Sequence, residues 1–415
     1  MSTRRRRPRW SELRPLVRIE PPHLGSTRRR LEAAASIDDL RRIARRRTPR
    51  SVFDYVDGAA EQEISLRRAR DAFSRIEFRP RVLRDVSKVD SSRVVVGSPS
   101  SLPLVLAPTG FTRMMHHEGE RAVARAAARA QIPYALSTMG TVSVEEVAAA
   151  APGSELWFQL YLWKDRAASL DLIQRAAAAG YRTLVLTVDT AVAGRRLRDV
   201  RNGLTIPPAL TVRTLADMSL HPAWWVNLLT TEPLEFASLR DSGGTVADLV
   251  DRMFDASASI SDLAWIRDQW PGRIVVKGIQ HPDDAVAMVD LGIDGIIVSN
   301  HGGRQLDRAV TPLEVLPDIV AAVAGRIEVL LDTGITDGAD IVAAVANGAT
   351  GCLVGRAYLY GLMAGGEAGV DRALAILRDQ VTRTMRLLGV SSLDELTPEH
   401  AVIAGSSPRA RAQTP

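Results

Sequence analysis

From residue 103 to residue 355 the chain repeats one unit, a short and almost wholly apolar run followed by a stretch with helical spacing. The runs are 103–107, 133–136, 157–162, 183–188, 273–277, 295–299, 328–332 and 351–355. Runs this short that lack polar alternation suit strands buried on both faces, and such strands lie parallel with helices as their crossovers. Eight of them predict an α/β fold, a (β/α)8 TIM barrel. Helices are expected over 118–131, 166–179, 281–291, 314–324 and 338–347, where apolar residues recur three to four apart.

The residues at the end of each run carry the functional signal. In order they are Thr109, Ser137, Gln159 with Tyr161, Thr187 with Asp189, Lys277, Ser299 with His301, Asp332, and Gly355 with Arg356. Polar groups at the same end of nearly every strand describe a ligand site at the mouth of a barrel. The segment Val298-Ser299-Asn300-His301-Gly302-Gly303-Arg304-Gln305-Leu306-Asp307 is the most specific. A neutral imidazole takes a proton near pH 7, and a guanidinium three residues on grips a carboxylate through two parallel hydrogen bonds. Gly302 and Gly303 keep that loop thin. A solvated surface loop is the competing reading, and the strand context argues against it.

The 415 residues are 46% hydrophobic, enough for one large domain, and hold a single cysteine, Cys352. One cysteine excludes an intramolecular disulfide and favours a reducing compartment. No apolar run reaches eighteen residues, so no membrane-crossing helix is expected, and the arginine-rich start lacks the apolar stretch of a secretory signal. The net charge of +5 is uneven, because residues 1–50 hold sixteen arginines against five acids. Residues 1–36 read as a basic, partly disordered arm able to meet anionic lipid, nucleic acid or acidic neighbours. Nucleic acid is disfavoured, since Trp10 is the arm's one aromatic.

The main domain is expected over 37–395, with a tail over 396–415. Residues 37–76 read as helices broken near Pro49 and Gly58 that cap the barrel. After the fourth run the pattern fails over about 191–262, a lid with Pro207-Pro208, Trp224-Trp225 and Leu228-Leu229. That apolar cluster either packs on the barrel or touches a membrane or quinone.

With these residues assembled, the chain resembles the FMN-dependent 2-hydroxy acid dehydrogenase and oxidase family, and within it the actinobacterial quinone-linked L-lactate dehydrogenases. The resemblance rests on Phe53-Asp54-Tyr55 with Gly58, Ala107-Pro108-Thr109-Gly110, Gln159-Leu160-Tyr161, Thr187-Val188-Asp189, Lys277-Gly278, the His301 loop, Asp332-Thr333-Gly334 and Gly355-Arg356. It implies FMN across the barrel mouth. Pro108, Thr109, Gly110, Ser137, Gln159 and Thr187 would contact the ring, with Ser299 among the cofactor residues and Lys277 beside the edge where reduction places negative charge. Asp332, Gly334, Gly355 and Arg356 would hold the ribityl chain and phosphate. Thr336 stands where the family usually has a basic residue, so the phosphate would lean on Arg356 and backbone N–H groups.

The resemblance also implies a carboxylate held by Tyr55, Arg304 and Arg196, with Tyr161 near the substrate oxygen. His301 would be the base and Asp189 its partner, with Tyr161 and Lys277 completing the catalytic set. No metal is implied. Met139, where relatives that use glycolate carry tryptophan, favours lactate. Gly110, where oxidases often carry alanine, favours a dehydrogenase. A quinone is the expected acceptor, because a haem would need two axial ligands and residues 1–50 supply only His23. The resemblance suggests a homo-oligomer, commonly a tetramer, in the cytoplasm or peripheral on the inner face of the plasma membrane. Other substrates (mandelate, glycolate, a peptide-linked hydroxy acid) stay open, as does a non-catalytic binding protein with a basic arm.

Overall fold

The computed structural model describes residues 9–14, 27–203, 217–234, 236–237 and 254–404. Eight strands close into a parallel barrel in chain order. They are β1 (Leu104–Leu106), β2 (Tyr134–Ser137), β3 (Leu156–Leu160), β4 (Thr183–Thr187), β5 (Arg273–Ile279), β6 (Gly295–Val298), β7 (Glu328–Leu331) and β8 (Gly351–Val354). All eight pairings are parallel. The expected helices are present as Gly119–Ala130, Arg166–Ala178, Pro282–Asp290, Pro312–Val323 and Gly338–Ala346. Local chemistry sets their starts: Asp165 and Asp337 accept backbone N–H groups of the first turn, and Pro282 and Pro312 occupy first helical positions.

Side chains alternate along each strand. The outward set packs beneath the helices, and the inward set forms its own buried cluster with Val105, Ala135, Trp157, Val185, Val275, Ile297, Leu330 and Leu353. The far end of that cluster is plugged by Val95 and Val96 of a small hairpin, Arg93–Val95 with Ser98–Ser100. Ser98 Oγ accepts the Trp157 indole N–H at 3.0 Å. The barrel is therefore closed at its N-terminal end, and ligands are confined to the other.

Helices Ile37–Arg47, Arg50–Asp57 and Ile64–Ser74 break where Pro49 and Gly58 predict. The body runs past 37–395 at both ends. Helix Thr27–Ala33 packs on the long helix Arg356–Leu388 with Leu31 buried, and Ala401–Ile403 pairs antiparallel with Ile76–Phe78. That long helix kinks at Gly365 and Gly366.

The lid is partly helical, at Leu197–Asn202 and Pro222–Leu229. Arg198 ties it to the cap through Asp57 at 2.9 Å and Glu63 at 2.6 Å. Pro207-Pro208 lies outside the described residues. The Trp224 indole N–H reaches Met114 O at 2.8 Å, yet no residue of Pro222–Leu229 is buried.

Candidate active site

The period of two explains why the polar residues converge. Ser137, Gln159, Thr187, Lys277, Ser299 and Asp332 each stand two positions beyond an inward-facing apolar residue, so each continues the inner face to the mouth. There they meet a cavity of about 260 Å³. Tyr55, Pro108, Thr109, Gly110, Ser137, Gln159, Tyr161, Thr187, Arg196, Lys277, His301, Arg304, Asp332, Gly334, Gly355 and Arg356 all line it.

Two expected residues stand behind the wall rather than in it. Ser299 is fully buried; its hydroxyl accepts Lys277 Nζ–H at 2.8 Å and the His301 backbone N–H at 3.0 Å. Its inward position is covered by the lysine, so it supports the site without facing the cavity. Asp189 reaches the site through His301, with Oδ1 2.9 Å from Nδ1.

The charge state of that pair follows from its surroundings. Burial pushes the Asp189 carboxyl up, but His301 and then Lys277 outweigh it and hold the group below the usual carboxylate range. An ionised Asp189 accepts, so Nδ1 carries a proton, and in a neutral imidazole the lone pair is then on Nε2. Nε2 stands 3.5 Å from the Tyr161 hydroxyl, at the outer limit of a hydrogen bond. Burial, and then Asp189, push the Tyr161 phenol well above its ordinary value, which keeps it a neutral donor. Lys277 is almost wholly buried; desolvation pulls it down, but Asp332 at 3.0 Å and Asp189 raise it, so it stays a cation.

The arginines differ in their partners. Arg196 pairs with Asp199 at 2.6 Å and lies over the Tyr55 ring at 5.4 Å. Arg304 lies over the same ring at 5.0 Å and donates to Tyr55 O at 2.6 Å and Gly58 O at 3.2 Å. Among the described residues, Arg356 donates only to carbonyls, of Val56, Gly58 and Gly302. Arg304 and Arg356 lie deep in the cavity yet are reached by solvent through it. Burial, with Arg196 next, pushes Arg304 down to about 10, and burial lowers Arg356 as well. Among the described residues, neither guanidinium has a carboxylate within ion-pair distance. A site with that surplus is built for anions.

Sequence reasoning missed several lining residues. Phe236 and Phe254 come from the lid: Phe236 packs edge-on against Phe111 with ring centroids 4.3 Å apart, and Phe254 against Tyr161 at 5.4 Å. Gln305 bridges lid and site, donating to Asp189 O at 3.2 Å and Val192 O at 3.0 Å. Arg70, from the cap helix Ile64–Ser74, also lines the cavity and reaches Gly334 O; Thr336, which the resemblance had already singled out, lines it too. No periodicity marks Phe236 or Phe254, and Arg70 is one arginine among many.

An elongated group with a hydrogen-bonding ring and an anionic tail fits this donor set. Backbone and hydroxyl or amide groups ring the mouth, a buried cation stands among them, and Arg356 waits at one end without a counter-ion. The sequence agrees, because residues 44–403 match the model of the FMN-dependent dehydrogenase family. The chain belongs to that family and is an FMN-dependent oxidoreductase of TIM-barrel fold. It is 58% identical over 400 residues to a Mycobacterium tuberculosis protein named "Putative L-lactate dehydrogenase", covering 96% of this chain and 97% of that one. With an L-lactate dehydrogenase of Caulobacter vibrioides it shares 43% identity over 383 residues, covering 91% and 99%. A crystal structure of the monotopic membrane protein (S)-mandelate dehydrogenase superposes with a TM-score of 0.86 at 38% identity, over 89% of this chain and all of that one.

Proposed function

We propose that this protein oxidises L-lactate to pyruvate and passes the electrons to a membrane quinone. The observation that carries the reading is the His301–Asp189 pair at a cavity whose wall also holds Arg304, Arg196 and Tyr55. Arg304 and Arg196 take the substrate carboxylate with Tyr55, which orients the hydroxyl-bearing carbon toward Tyr161 and His301. Oxidation removes two electrons and two hydrogens: His301 Nε2 takes one hydrogen as a proton, and in the net reaction the other passes with the electron pair to the acceptor. Asp189 then stabilises the imidazolium. Tyr161 donates to the oxygen that becomes the carbonyl.

Bound FMN supplies the acceptor for the electron pair, which no side chain can provide. Pro108, Thr109, Gly110, Ser137, Gln159 and Thr187 hold its ring, and Lys277 supplies positive charge where negative charge develops. Asp332, Gly334, Gly355 and Arg356 hold the ribityl chain and phosphate.

Met139, Phe236 and Phe254 narrow the substrate end. A Cβ on Gly110 would come within 2.8 Å of Met139 Cβ, so this wall has little slack. That favours a methyl substituent over a phenyl one, although the likeness to mandelate dehydrogenase keeps mandelate as the second reading. Purified protein should show a flavin spectrum, bleached anaerobically faster by L-lactate than by mandelate or glycolate. A colourless protein would favour a binding role; faster bleaching by mandelate would reassign the substrate.

The quinone reading draws on the lid and the arm. Helix Pro222–Leu229 is largely apolar and has no buried residue, and Leu220, Val226 and Leu229 are exposed. Among the described residues no helix is long and apolar enough to cross a membrane. Peripheral attachment from the cytoplasmic side, aided by the basic arm, matches these features. Val82 and Leu83 are exposed next to Leu387, and Arg81 N–H bonds to Leu388 O at 2.9 Å, an apolar edge suited to burial in a homo-oligomer such as a tetramer.

A further inference from the structure

The phosphate end of the cavity is short of positive charge. The residues after β7, Asp332 to Thr336, include no basic side chain. Of the cations that line the cavity, Lys277 is matched by Asp332 at 3.0 Å and Arg196 by Asp199 at 2.6 Å. Arg304 lies over Tyr55 at the substrate end. Arg356 remains, at the start of helix Arg356–Leu388, whose first N–H groups and dipole add to its attraction for an anion. A phosphate monoester carries about 1.5 to 2 negative charges near pH 7. One guanidinium does not neutralise it.

We propose that Arg70 is the second phosphate ligand of the cofactor, reaching the site from the cap helix rather than from the barrel. This rests on the proposed function, in which the phosphate lies between the loops after β7 and β8. Arg70 lines the same cavity as Gly334, Thr336, Gly355 and Arg356. Its Nη1 donates to Gly334 O and, at 2.9 Å, to Asp340 Oδ2. The same carboxylate oxygen accepts the Thr336 N–H at 2.9 Å and the Asp337 N–H at 3.0 Å. Asp340 thus pins Arg70 against the loop that ends β7. This ion pair offsets part of the Arg70 charge, as Asp332 and Asp199 do for Lys277 and Arg196, but it engages Nη1 alone and leaves the other edge of the guanidinium for a ligand.

The close approach depends on Gly334. Its φ of +88° is left-handed, and a Cβ there would lie 2.9 Å from Ala69 O, the carbonyl preceding Arg70 on the cap helix. Among the described residues, Nε and Nη2 of Arg70 have no partner, and these two donors form the edge of a guanidinium that binds a phosphate with two parallel bonds. Asp340 is the positioning residue, and Arg70 is the ligand.

The test uses the full-length chain loaded with FMN, or with riboflavin exchanged in, and reads the dissociation constant of each flavin by fluorescence on dilution. Riboflavin has the ring and ribityl chain but no phosphate. Arg70→Ala should weaken FMN binding about tenfold or more, the effect of losing one charge-assisted pair, and leave riboflavin within about twofold. Thr336→Arg in the Arg70→Ala background should restore FMN binding, and Arg70→Lys should fall between. Thr336→Arg alone keeps the test open if Arg70→Ala folds poorly, and should tighten FMN without tightening riboflavin. Equal weakening of both flavins would make Arg70 a structural prop and overturn the proposal, as would unchanged FMN binding in a folded Arg70→Ala protein. Wild-type protein that binds both flavins equally well would remove the phosphate site itself, and Arg70's role with it.

Discussion

Replacing Asp189 by asparagine tests the catalytic pair most directly. The carboxylate side chain is only 7% exposed and its Oδ1 lies 2.9 Å from His301 Nδ1. Asparagine keeps an oxygen to accept that hydrogen bond but removes the charge that stabilises the imidazolium. Two unit charges about 4 Å apart in an effective dielectric near 20 interact by about 4 kcal/mol, and local reorganisation brings the expected loss to about 2–4 kcal/mol. That corresponds to roughly 30- to 1,000-fold in rate. The imidazolium forms only after the proton moves, so kcat should carry the loss and KM should change little. Anaerobic stopped-flow bleaching of the flavin by L-lactate measures the step, and the visible band before mixing confirms that FMN is retained. A fall of less than about threefold would refute the argument, since the buried charge would then do nothing for the base.

His301→Gln should leave the yellow chromophore bound but cost flavin reduction at least ~10²–10⁴-fold, and rapid bleaching in that variant would take the base away from His301. Arg304→Lys keeps a charge but loses the planar fork, so kcat/KM in steady-state assays should drop at least ~10-fold; near-normal kinetics would hand the carboxylate to Arg196. Asp57 accepts from Arg41 at 2.6 Å, Arg198 at 2.9 Å and the Tyr360 hydroxyl at 2.9 Å, and these outweigh burial to hold its carboxyl below the usual range. Its stabilisation is therefore complete above the unfolded value of about 3.9 and is lost as pH falls through the folded one. Asp57→Asn should lower stability by about 2–3 kcal/mol at neutral pH and by less in acid, as thermal or denaturant unfolding across pH would show; a deficit that does not shrink in acid contradicts the assignment. Deleting residues 1–26, which spares the packed helix Thr27–Ala33, should preserve lactate-driven flavin reduction yet weaken salt-sensitive binding to anionic vesicles by up to about 1 kcal/mol per membrane-proximal arginine. Equal vesicle binding by both forms at low salt would remove that role from the arm.

The sequence by itself determined the barrel and the residues at its mouth. Both depend on local periodicity: an apolar run shows a strand, and a spacing of two carries its inner face from Val275 to Lys277 or from Leu330 to Asp332 whatever the neighbours are. Caps such as Asp165 and Asp337 are local in the same sense. Tertiary structure alone decided what depends on distant segments meeting. It turned His301 so that Nδ1 meets Asp189, 112 residues away in the chain, and left Nε2 facing Tyr161. Lys277 came to lie over Ser299, which put an inward-facing hydroxyl behind the wall. The lid contributed Phe236 and Phe254 from a stretch with no period, the hairpin contributed Val95 and Val96 as a plug, and the cap brought Arg70 to the end of β7. Side-chain spacing cannot reveal such contacts, because each is set by close packing between elements that have no sequence relation to one another.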